Sequence, residues 1–189
     1  LSSLVYRVVK VIEPSIRDRA FLALIYSAYA DLPPDKMIVE DASSQIEIAS
    51  SLNFGSATQS LHKLLEFSFD PWMVGVSGSE DGSFALLREA GISVKEGGKY
   101  RCLLDLAGEE KERFSALVRQ RTSFRVDERR VFLLKSEQKG SLIKDLAGFY
   151  AALEMCVCQK RYALAFALCS SPEKARERVM GLYVEMKRS

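Results

Sequence analysis

The stretch FALLREAGISVKEGGKYRCLLDL, Phe84–Leu106, decides the fold class. Phe84–Ala90 carries helix-compatible apolar spacing and stops at Gly91, the position after a helix where glycine's freedom to take positive φ is favoured. Two strand-like runs follow, Ile92–Lys95 and Lys99–Leu106, around Glu96-Gly97-Gly98. Two glycines between such runs are good hairpin chemistry. Helix, glycine and hairpin in immediate succession predict an α+β protein.

Upstream, the β-branched run Val5–Ile12 reads as a strand, with a helix as the alternative. Pro14-Ser15 opens a helix whose apolar residues Ile16, Ala20, Phe21, Leu24, Ile25 and Ala28 repeat at helical spacing. Leu32-Pro33-Pro34-Asp35 ends it. A short extended piece at Met37–Val39 precedes Asp41–Ser44, candidate N-caps for a helix to Leu52. Asn53-Phe54-Gly55 breaks that helix, and Ser56 caps a second one running to Phe67. Pro71, Gly75, Gly78 and Gly82 mark a loop-rich region with a short strand at Trp72–Val76. Trp72 there reads either as a loop anchor or as an exposed partner-binding knob.

Downstream, a helix is expected over Glu109–Arg121. Strand-like Phe124–Val126 and Val131–Leu134 should then flank a charged turn at Asp127-Glu128-Arg129-Arg130. A helix (Ser141–Cys156), a strand (Arg161–Cys169) and a helix (Pro172–Lys187) complete the reading. The expected architecture is α+β: a helical N-terminal part, winged-helix-like in one reading, with a β-hairpin, then a mixed strand-helix-strand-helix C-terminal part. An acidic part over 1–106 and a basic part over 107–189 form two domains or one continuous one.

With 189 residues, 48% hydrophobic and 28% charged, the composition is that of a globular protein and argues against general disorder. A chain of this size buries roughly 70% of its unfolded surface, so it requires no disulfide or metal staple. No apolar run reaches the roughly 18 residues that span a bilayer. The first residues carry neither the basic region nor the cleavage site of a signal peptide. Cys102, Cys156, Cys158 and Cys169 form no Cys-x-x-Cys pair, and His62 is the lone histidine. The expectation is structural thiols in a reducing cytoplasm, with no metal, no cofactor and no membrane partner.

Net charge is distributed unevenly along the chain. Residues 1–110 hold ten Lys or Arg against sixteen Asp or Glu, whereas residues 111–189 hold seventeen against nine. Such asymmetry points to an anionic partner or to pairing within the chain. Arg119, Arg121, Arg125, Arg129 and Arg130 are the candidate phosphate contacts, because guanidinium groups fork onto phosphate oxygens. Phe124 lies among them and would stack on a base if exposed.

Two patterns carry sharper chemistry. Ile46–Leu65, with a turn at Gly55-Ser56, resembles a helix-turn-helix. Gln59, Ser60, His62 and Lys63 would then form a second candidate surface against DNA, although Glu40, Asp41, Glu47 and Glu66 make that region acidic. Asp127, followed by Glu137-Gln138-Lys139, resembles the PD-(D/E)xK nuclease pattern. That resemblance implies two carboxylates holding Mg²⁺ beside a charge-stabilising lysine, which makes Asp127, Glu137 and Lys139 candidate catalytic residues. The leading expectation is a non-enzymatic, nucleic-acid-associated regulatory or accessory protein, partnered by DNA or RNA. A protein–protein interaction module or subunit of a larger assembly is the alternative, and a Mg²⁺-dependent nuclease the third reading.

Overall fold

Ile46–Leu52 is a strand, β1, and this residue run is the pivot of the architecture. The computed structural model describes residues 2–188, with side chains from 4 to 186. The chain divides into two compact units: residues 1–49 with 130–189, and an inserted unit of residues 50–129. The chain enters the insert along β1 and leaves it along β4 (Glu128–Leu134), the partner of β1 in a two-stranded ribbon. Asn53 N–H donates to the Asp127 carbonyl and Lys135 N–H to that of Gln45, both at 2.9 Å, so the strands run antiparallel. The α+β class and the hairpin therefore stand. The charge change near Ala107 falls inside the insert rather than at a unit boundary.

In the discontinuous unit, α1 (Ser2–Ile12) and α2 (Phe21–Tyr29) are linked by a 3-10 turn at Pro14–Arg19, and α3 (Lys36–Ala42) precedes β1. After β4 come α7 (Leu146–Cys158), α8 (Tyr162–Ser170) and α9 (Pro172–Arg188). Three segments correct the sequence reading. Val5–Ile12 is helical because Tyr6 and Lys10, one helical turn apart, both reach Asp41 on α3, at 3.0 and 2.5 Å. Met37–Val39 belongs to α3, whose N-cap is Asp35, accepting from Met37 N–H. Arg161–Cys169 is helix α8, not a strand, with Leu164 and Leu168 one turn apart in the core. That core gathers Leu24, Ile38, Phe132, Ile143, Leu146 and Phe149, with Phe21 edge-on to Phe149 at 5.8 Å.

The insert contains α4 (Leu61–Glu66), α5 (Glu80–Glu89), the hairpin strands β2 (Lys95–Glu96) and β3 (Lys99–Tyr100), and α6 (Gly108–Arg121). Gly97 and Gly98 both take positive φ, as a two-residue hairpin turn with right-handed strand twist requires. The ladder pairs Lys95 with Tyr100 and Glu96 with Lys99. It is shorter than expected, because beyond it Cys102 pairs with Ser60 instead. Residues 72–76 form a turn-rich loop rather than a strand. The insert has its own core, built around Leu61, Leu65, Met73, Leu87, Leu103 and Val118. Phe54 meets Phe114 edge-on at 5.5 Å.

Candidate nucleic-acid interface

Helix α6 sets the charge of the insert's basic end. Glu109 and Glu110 occupy its first turn and Arg119 and Arg121 its last, the arrangement that complements the helix dipole. Its start is fixed by Glu110, which accepts from Ala107 N–H and grips the buried Arg101 through both carboxylate oxygens at 2.8 and 2.6 Å. The Arg101 guanidinium is the main reason the Glu110 carboxyl is held down to about 2. At the other end, Thr122 Oγ1 donates to the Val118 carbonyl and accepts from Phe124 N–H, which folds the following loop back on the helix.

The five candidate arginines differ in what they touch. Arg119 is exposed and makes no ion pair among the described residues. Arg121 pairs with Glu89 at 2.8 Å and Arg125 with Asp127 at 2.9 Å, both on the surface. Arg129 donates from Nη2 to the Gly55 carbonyl at 3.1 Å, which ties β4 to the turn after β1. Arg130 is exposed and belongs to the other unit. Phe124 is half-buried and edge-on to Phe54 at 6.1 Å, so it is a packing residue rather than an open stacking platform.

The helix-turn-helix expectation fails at its first helix, which is β1. The Asp41–Ser44 run read as an N-cap instead closes α3: Ser43 N–H and Oγ both donate to the Glu40 carbonyl. The second helix shrinks to the six residues of α4. Gln59 and Ser60 precede it half-buried, and Ser60 is bridged to Cys102. His62 is buried between the rings of Phe84 and Tyr100, with centroids at 5.0 and 4.5 Å. Burial is the main cause of its lowered pKa. Lys63 spans Glu66 at 2.7 Å and Glu80 at 3.0 Å. Ser60, His62 and Lys63 thus each make contacts within the insert.

The three residues of the nuclease pattern fall in both units. Asp127 lies in the insert, paired with Arg125, its N–H donating to Asn53 Oδ1. Glu137 lies in the other unit, buried, accepting from Ser141 Oγ at 2.8 Å and paired with Arg176 at 3.3 Å. Lys139 is exposed two residues further on. Among the described residues no group of three or more His, Cys, Asp or Glu side chains gathers as a metal site. All four cysteines are free thiols, and no described helix is long and apolar enough to cross a membrane.

The inserted unit is also where the chain resembles something known. Residues 53–134 match the DHH-CID domain. The match covers less than half of the chain and spans the insert from Asn53 to its end. No curated protein matches the chain. Within the DHH-CID region, sequence reasoning undervalued the loop at Phe69–Val74: Trp72 is 54% exposed, and the neighbouring Met73 is the anchor. The signal was present in Pro71-Trp72-Met73, but an apolar triplet does not reveal which of its residues points inward.

Proposed function

We propose that the chain is a non-enzymatic, nucleic-acid-associated accessory or regulatory protein whose insert contacts phosphates through Arg119, Arg121 and Arg125. The observation that carries this reading is that the DHH-CID match falls on the unit that presents these three arginines at the end of α6 and in the loop after it. Arg119 has its charge available. The pairs Arg121–Glu89 and Arg125–Asp127 lie on the surface, where such pairs are worth about 0–1 kcal/mol. Exchanging them for a phosphate contact therefore costs little. Arg129 is held by Gly55, so its role in this reading is to position β4.

The test is fluorescence anisotropy with labelled single-stranded DNA and RNA between 50 and 200 mM salt. Three phosphate contacts on a single strand predict a slope of about −2 in log K against log salt, roughly a 15-fold loss over that range. No binding at 50 mM salt contradicts the proposal. A second reading, a protein-interaction module, is favoured by the exposed aromatic loop of the same unit.

A further inference from the structure

The segment from Leu64 to Leu87 contains Glu66, Asp70, Glu80 and Asp81 and no lysine or arginine. Its loop turns three large apolar side chains outward: Phe69, Trp72 and Val74 are 56, 54 and 82% exposed. Phe69 and Trp72 lie together, with ring centroids 6.1 Å apart.

The loop is held from below. Met73 and Val76 are buried in the insert's core. Met73 N–H donates to Ser77 Oγ at 2.9 Å, Ser68 Oγ to the Pro71 carbonyl at 2.7 Å, and Gly78 N–H to the Glu66 carbonyl at 2.7 Å. The first turn of α5 sits directly on it: a Cβ at Gly82 would lie 1.9 Å from the Gly75 carbonyl oxygen. Glu80 and Asp81 are therefore brought beside the loop, and the cation that reaches this rim, Lys63, is already bound by Glu66 and Glu80.

A rigid apolar patch with a polar rim, centred on an exposed tryptophan, has the make-up of a binding hot spot. Its rim decides the partner. Asp70 and Asp81, which make no ion pair among the described residues, keep the rim net acidic and repel nucleic-acid phosphates, whose binding depends on cationic contacts. The same carboxylates favour lysine or arginine on an approaching protein. We propose that the Phe69–Trp72–Val74 knob docks a basic, amphipathic segment of a partner protein, separately from the arginine surface.

Trp72 is the only tryptophan in the chain, so its emission reports on this surface alone. The probes are a helical Leu/Lys peptide, the matched Leu/Glu peptide and a single-stranded oligonucleotide, each titrated into the full chain. The expected result is a saturable blue shift and protection from acrylamide with the Leu/Lys peptide only. Val74→Lys and Asp81→Lys should each weaken that binding at least tenfold, and Val74→Lys should leave thermal unfolding unchanged. The proposal is overturned by any of four results: no shift with the Leu/Lys peptide, an equal shift with the Leu/Glu peptide or the oligonucleotide, a shift produced by raising protein concentration alone, or variants that bind as tightly as the parent. Because the arginines stay intact throughout, failure here leaves the nucleic-acid proposal to its own test.

Discussion

Arg101 is 8% exposed, and its charge is tolerated because Glu110 meets it with both oxygens while the Asp105 carbonyl accepts a third bond at 2.7 Å. Glu110→Gln removes the compensating charge and should cost about 2–3 kcal/mol in urea unfolding, somewhat below the usual penalty for breaking a fully buried pair. Glu110 is held down to about 2, below its ordinary 4.5. Its stabilisation is thus complete above the unfolded value and is lost as pH falls from 4.5 toward 2. His62 has a lowered folded-state pKa for a different reason, desolvation between two rings. It contributes stability above its ordinary 6.5 that is lost as pH falls through the folded-state value. As the sole histidine, it should show an NMR titration midpoint below 6.5, and a midpoint at or above 6.5 contradicts the buried placement. Neither role was legible in the sequence, where Arg101 is one cation among many and burial leaves no local mark.

Among the elements, the hairpin was readable and β1 was not, for a physical reason. The turn at Gly97-Gly98 is specified by residues beside it. Ile46–Leu52 takes its conformation from β4, about eighty residues further along the chain, and its local pattern fits a helix as well as a strand. Helices α6 and α9 were legible because their ends carry their own signals, paired acids at one start and Pro172 at the other. Close approach is another property of elements that sequence conceals. Gly82 allows the first turn of α5 to seat against the Gly75 carbonyl. Gly82→Ala should therefore destabilise by about 2–3 kcal/mol, as overpacking against unyielding backbone does, despite alanine's better helix propensity. Circular-dichroism thermal melts would measure this, and an unchanged or raised Tm would contradict the packing.

For the whole molecule, the interleaving of the units changes what the charge asymmetry means. Split at residue 110 the chain looks polarised, but the insert holds eleven basic and twelve acidic residues and the other unit sixteen and thirteen. The separation that matters lies within the insert, between the cation-free segment carrying Trp72 and the arginine-bearing end of α6. Two distinct cores also predict two cooperative units. Val118→Ala, at a fully buried insert position, should speed amide exchange across residues 50–129 and leave the α2 and α7 amides unchanged. A uniform increase along the chain would show a single cooperative unit. The α+β class followed from local signals, whereas the insertion depends on a pairing between distant strands.

The central claim, phosphate contact through the end of α6, is tested most directly by the salt dependence of single-stranded DNA binding in Arg119→Ala/Arg121→Ala/Arg125→Ala. The account predicts that binding weakens at 50 mM salt and that the slope of about −2 falls close to zero. A triple variant that binds with the parent's slope would contradict it.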